Sequence, residues 1–164
     1  IEPRKNLQNL IKAMAIEHID ILLIAVGGKG AYATQMATLA KENGVDLRFI
    51  HGIPLADLPA VYKGATVFCY PSIFEGFGIP ILESMCVGTP VLTSTGSCFA
   101  ETGGDAARYA NPLVPEDIGT QLRHILDDAT EREKMISQGF EQATHFRDDQ
   151  VAANLVRVVL SEQV

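Results

Sequence analysis

The chain has 164 residues, 47% of them hydrophobic, enough for one well-filled domain and too few for two comfortable ones. Its formal net charge of −7 argues against nucleic acid and anionic membrane surfaces as main partners, since both are held by clustered Lys and Arg. No stretch approaches the ~18 apolar residues of a membrane span, and no signal-peptide pattern opens the chain.

In chain order, Ile1-Glu-Pro-Arg-Lys-Asn6 reads as a charged turn leading into a helix, and the missing initiating Met suggests a fragment. Leu7, Leu10, Ile11 and Met14 recur at i, i+3, i+4 and i+7, the period of an amphipathic helix starting near Asn6. The run from Asp20 to Val26, ended by Gly27-Gly28, suits a strand buried on both faces. A helix is expected from Ala31 to Asn43, with Tyr32, Met36, Leu39 and Ala40 inward and Gly44 as its stop. Leu47–Ile50 reads as a strand and Leu55–Lys63 as a helix. A strand over Thr66–Tyr70, a loop, and a helix over Pro80–Cys86 follow. Beyond Gly88 come a strand at Pro90–Thr93, a Gly/Ser loop and short turn from Gly96 to Gly104, and a short strand at Ala107–Tyr109. Helices at Pro115–Leu126, Glu131–Ala143 and Val151–Leu160 complete the pattern.

Strands alternating with helices predict an α/β fold, a Rossmann-like parallel sheet with helices on both faces and a ligand beyond the strands' carboxyl ends. Gly27–Gly30, His51–Pro54, Pro71–Gly78, Thr93–Ser97 and Asn111–Pro112 should crowd that rim.

Glu75-Gly-Phe-Gly-Ile-Pro-Ile-Leu-Glu83 is the richest segment of this rim. Gly76 and Gly78 permit a sharp turn, and Pro80 suits a first helical turn, so the backbone N–H groups there are free for an anion. Glu75 would face a neutral, hydroxyl-rich part of the same ligand, because a carboxylate repels a phosphate. Glu83, among Leu82, Met85 and other apolar neighbours, wants a bound partner such as vicinal hydroxyls. A phosphate flanked by two hydroxyl-bearing groups describes a nucleotide sugar. Arg4 and Lys5 are unfavourable at a helix start unless an anion joins them, which makes them a candidate diphosphate clamp.

Other chemistries find less support. Gly28-Lys-Gly30-Ala-Tyr-Ala33 loosely matches a dinucleotide fingerprint, but no acid ends the next strand, so a plain turn is the better reading. His18, His51, His124 and His145 lack metal-ligand spacing, and no nucleophile elbow surrounds any Ser. Cys69, Cys86 and Cys98 fit reduced core thiols of a cytoplasmic protein. Asp127-Asp128 and Asp148-Asp149 fall at helix boundaries, as caps do.

Taken together, Pro3-Arg-Lys-Asn6, the Gly52 turn, Tyr62, Pro71-Ser72, the E-x7-E element and Gly88-Thr-Pro-Val91 resemble the C-terminal domain of retaining GT-B glycosyltransferases of family 4 (group 1). The resemblance implies a nucleotide-sugar domain over residues 1–164, one half of a GT-B fold, with an N-terminal acceptor domain missing and the fragment alone inactive. It implies Glu75 and Lys5 as catalytic residues, with Lys5 and Arg4 on the donor diphosphate. The amides of Gly76, Phe77, Gly78 and Ile79 would approach diphosphate and sugar, Glu83 the ribose, and Gly52-Ile53 the base. The implied reaction is metal-independent hexosyl transfer from a UDP- or GDP-sugar such as GDP-mannose, with no cofactor. The acceptor would be a saccharide or a lipid-linked one, in cell-surface polysaccharide synthesis, with the enzyme cytoplasmic or peripheral to the inner membrane. Thr95–Glu101 departs from the family's usual loop, so Glu101 is not assigned a role. A phosphorylase, a nucleotide-sugar epimerase or a non-catalytic domain of the same fold stand as alternatives.

Overall fold

A computed structural model describes residues 2–161; Ile1 and residues 162–164, at the two limits of the expected domain, lie outside the described residues. Five short strands and eight α-helices alternate through it. The strands are β1 (Leu23–Val26), β2 (Leu47–Ile50), β3 (Phe68–Tyr70), β4 (Val91–Ser94) and β5 (Ala107–Ala110). All pairings are parallel, as the long crossovers require, but they form two pieces, β1-β2 and β3-β4-β5.

The helices are α1 (Leu7–Ile16), α2 (Ala31–Glu42), α3 (Leu58–Lys63), α4 (Ile79–Cys86), α5 (Phe99–Gly103), α6 (Pro115–Asp127), α7 (Ala129–Thr144) and α8 (Asp148–Ser161). The periodic positions of α1 enter the main core: Leu10, Ile11 and Met14 pack with Ile118, Leu122 and Ile125 of α6 and with Leu92 of β4. Helices α1 and α6 meet at Gly119, where an added Cβ would lie 2.6 Å from Glu17 Cγ and 2.9 Å from the Ala13 carbonyl oxygen. Asp128 caps α7 by accepting the Glu131 N–H at 2.9 Å, the role its position suggested.

A second core lies beneath the site. Tyr70, Ile81, Met85, Val91, Phe99 and Ala106 are buried together, joining β3, α4, β4 and α5. Phe99 is fully buried and meets Tyr70 edge-on, with ring centroids 6.3 Å apart.

Two sequence expectations change. The run ending in β1 is not buried on both faces: Ala25 is buried, whereas Ile24 and Val26 are 45% and 42% exposed. Apolar composition alone reads the same whether or not an element covers the second face, and within the described residues β1 pairs only with β2. The expected loop and turn from Gly96 to Gly104 instead contains α5, whose Phe99 anchors it in the second core.

Candidate functional site

The site is assembled from three segments at the carboxyl end of the β3-β4-β5 sheet. The first is a 3-10 turn at Pro3–Lys5, closed by Asn6 in the left-handed conformation. Asn6 is buried, and its Nδ2 donates to the carbonyls of Pro71, at 3.0 Å, and Pro112, at 2.7 Å. The Ile73 N–H donates to the Arg4 carbonyl at 2.9 Å, so the turn is stitched to the loop after β3. These bonds satisfy buried backbone groups and fix where Arg4 and Lys5 stand.

The second segment is that loop itself, residues 71–78. Its carbonyls are held from the β4–α5 side: Ser97 Oγ donates to the Glu75 carbonyl at 2.8 Å, and Thr102 Oγ1 donates to the Phe77 carbonyl. The Phe77 ring also meets Phe146 edge-on. Gly78 closes the loop at φ +92°, and a Cβ there would sit 3.2 Å from Ile81 Cδ1, so both conformation and space select glycine.

Glu75 lies at the centre, its side chain only 11% exposed. Lys5 Nζ donates to Glu75 Oε1 at 2.6 Å, and Arg4 reaches Oε2 at 2.7 Å. Lys5 Nζ also donates to the Tyr70 hydroxyl at 2.6 Å and lies 4.8 Å above the Tyr70 ring. Burial by itself would raise the Glu75 carboxyl pKa. The hydrogen bonds from Lys5 and Arg4, with the Tyr70 and Ser72 hydroxyls close by, outweigh it and hold the group at about 2. The Ser72 hydroxyl, fully buried alongside, contributes without completing a hydrogen bond of good geometry. Burial pulls the Lys5 ammonium pKa down, but Glu75 and Tyr70 more than offset this and leave it raised. Carboxylate and ammonium are therefore both charged at neutral pH.

The expected external anion for Arg4 and Lys5 has an internal counterpart in Glu75, with Glu2 adding a second carboxylate on Arg4 at 2.7 Å. Sequence spacing could not reveal this pair, because 70 residues separate Lys5 from Glu75.

Beside the ion cluster, the backbone N–H groups of Gly76, Phe77, Gly78 and Ile79 find no acceptor among the described residues. They open α4, where the helix dipole adds positive potential. The third segment is α4 itself. It carries Glu83, half-buried, whose Oε2 accepts from the Tyr62 hydroxyl at 2.9 Å. The partner that Glu83 was expected to need is thus in part a protein hydroxyl.

Gly52, at φ +68°, and half-buried Ile53 lie on the turn after β2. That turn belongs to the other sheet, with Gly27, whose N–H donates to the Ile50 carbonyl. The rim therefore falls into two groups, and among the described residues no bond joins the Gly52 turn to the Glu75 cluster. Among the other cysteine and histidine positions, burial pushes the Cys69 thiol up to about 12, and His51 is exposed beside Phe49. Among the described residues neither has a partner that would make it a nucleophile or a base.

Sequence reasoning did not single out Asn6, Tyr62, Tyr70 or Ser97 as site residues. The placement of Asn6 directly after two cations was a usable signal; the others depend on contacts between distant segments.

A preorganised ion cluster, four adjacent amides without an acceptor among the described residues and a second carboxylate on the following helix thus stand together on this α/β domain. The family described as "Glycosyl transferases group 1" matches residues 1–142, and the chain belongs to that family. It is 32% identical over 152 residues to O-antigen chain mannosyltransferase B of Escherichia coli, covering 89% of this chain and 40% of that protein. It is 33% identical over 134 residues to O-antigen chain mannosyltransferase RfbU of Salmonella typhimurium, covering 79% of this chain and 38% of that protein. Its fold matches Anabaena HepE, solved in complex with UDP-glucose, with a TM-score of 0.84 at 19% identity, over 99% of this chain and 46% of that one. The fold is thus that of a glycosyltransferase α/β domain, one half of a GT-B fold, and the chain spans about two fifths of the length of the curated relatives it matches. No helix among the described residues is long and apolar enough to cross a membrane.

Proposed function

We propose that this domain is the donor half of a hexosyltransferase acting on a nucleoside-diphosphate sugar, GDP-mannose or a UDP-hexose. The observation that carries the reading is the Lys5–Glu75 cluster set against the four free amides of Gly76–Ile79. The likeness to two O-antigen mannosyltransferases and to Anabaena HepE, which was solved with UDP-glucose, supports it.

In this reading Lys5 and Arg4 take the donor diphosphate, and the Gly76, Phe77, Gly78 and Ile79 amides complete its cradle. Glu83 accepts hydrogen bonds from the ribose hydroxyls, and the Gly52-Ile53 backbone lies against the base. Glu75 neutralises the two cations. The diphosphate, more highly charged, draws them away and frees Glu75 for hydroxyls of the transferred sugar. As the bond from C1 to diphosphate breaks, negative charge grows on the departing group, and Lys5 and the amides stabilise it from fixed positions. Configuration at C1 is retained and no metal takes part. A second, N-terminal domain supplies a saccharide or lipid-linked acceptor, for cell-surface polysaccharide synthesis on the cytoplasmic side of the membrane.

The test is to incubate the complete enzyme with UDP-, GDP- and ADP-hexoses and candidate acceptors, and to follow both nucleotide release and glycoside formation. One donor is expected to give a new glycosidic bond of retained configuration in the presence of a chelator. Epimerised sugar nucleotide, or sugar phosphate formed only with added phosphate, would place the chemistry in another class. No turnover of any donor by folded enzyme would leave a binding role alone.

A further inference from the structure

We propose that Tyr62 is a positioning residue that aims the Glu83 carboxylate at the nucleotide ribose, an inference that rests on the donor-site reading above.

Tyr62 sits on α3, 21 residues before Glu83, and its hydroxyl donates to Glu83 Oε2 at 2.9 Å. Glu83 Oε1 has no protein partner among the described residues, so one carboxylate oxygen is held and the other is left to accept from a ligand. Both ends of Tyr62 are fixed. Its ring meets Phe68 of β3 edge-on, with centroids 5.0 Å apart and planes at 89°. Its carbonyl accepts from Thr89 Oγ1 at 2.8 Å. Thr89 is in turn tied to α4: its N–H donates to the Ser84 carbonyl at 3.1 Å, and Ser84 Oγ donates back to the Thr89 carbonyl at 3.2 Å. Ser84 and Thr89 are both buried. The donor and the carboxylate it holds are thus locked to one another through the strand entry, and not only through their own bond.

Burial, with the Glu83 carboxylate beside it, pushes the Tyr62 phenol well above its ordinary pKa, so the hydroxyl remains a donor at neutral pH. A long carboxylate side chain loses rotamer freedom when it grips a diol. Holding it beforehand removes part of that loss from the binding step.

The experiment compares the complete protein with its Tyr62→Phe variant, which keeps the ring against Phe68 and removes only the hydroxyl. The probes are UDP, GDP and their 2′,3′-dideoxy analogues, measured by calorimetry. The parent should prefer the ribonucleotide to its dideoxy analogue. Tyr62→Phe should weaken the ribonucleotide by about tenfold, in line with a hydrogen bond to a charged group, and leave the dideoxy analogue unchanged. In turnover the donor KM should rise by a similar factor with kcat held, and on a Glu83→Ala background Tyr62→Phe should have no further effect on affinity. Equal losses for both nucleotides would make Tyr62 a structural residue, and an unchanged ribonucleotide affinity would make it an idle one; either overturns the proposal. A parent that binds both nucleotides equally would instead refute the ribose role of Glu83, and this proposal with it.

Discussion

Replacing Lys5 with Met in the complete enzyme should lower the rate of sugar transfer by about 100- to 1,000-fold, the usual consequence of removing one preorganised charge donor from a transition state. Methionine keeps an unbranched stem over the Tyr70 ring but removes the ammonium that donates at 2.6 Å to both Tyr70 and Glu75. Arg4 cannot substitute for it, because its side chain is 47% exposed and is shared with Glu2. The Glu75 carboxyl, now held at about 2, should also move up toward the ordinary range once its closest partner is gone. Lys5→Arg should rescue little, since a planar guanidinium does not fit the point between a phenol and one carboxylate oxygen that the compact ammonium occupies. Single-turnover kinetics with saturating donor is the measurement. A rate within about threefold of the parent would remove Lys5 from the chemistry.

The largest stability effect should come from Phe99→Ala. Phe99 is fully buried in the core beneath the site, and truncating a buried Phe costs about 3–5 kcal/mol through lost burial and the cavity left behind. For a domain of this length that corresponds to a fall in melting temperature of about 10 °C or more. The effect should reach the site as well, because Phe99 is the edge-on partner of Tyr70, and Tyr70 seats Lys5. Thermal unfolding and donor affinity measured on the same variant should therefore fall together. A loss below about 1 kcal/mol would mean that the second core collapses around the gap and that Phe99 does not support the site.

The fold was largely readable because its signals are local. Leu7, Leu10, Ile11 and Met14 declared α1 by their period, and the strand-loop-helix at residues 66–86 appears as β3, the Gly-Phe-Gly loop and α4. Asp128 proved to be a cap because a cap needs only its own first turn. What escaped was set by distance along the chain. Nothing near Lys5 announces Glu75, and nothing near Asn6 announces the carbonyls of Pro71 and Pro112; a buried amide and a 3-10 turn bring them together. The exposed Ile24 and Val26 escaped for the complementary reason, since hydrophobic character records what a strand can bury and not what covers it. Phe99 was hidden among Gly and Ser residues, although one aromatic side chain sufficed to anchor α5.

Glu83 shows how the two levels combine. Its sequence context asked for a partner, and Tyr62 answers for one of its two oxygens. The remaining oxygen is the one the donor-site account depends on. Titration of UDP and of GDP into the parent protein and its Glu83→Ala variant by calorimetry tests that account most directly. One nucleotide should bind the parent at a single site, and Glu83→Ala should weaken it by at least about tenfold, or roughly 1.4 kcal/mol. A folded parent that takes up neither nucleotide, or a Glu83→Ala variant that binds as the parent does, would contradict it.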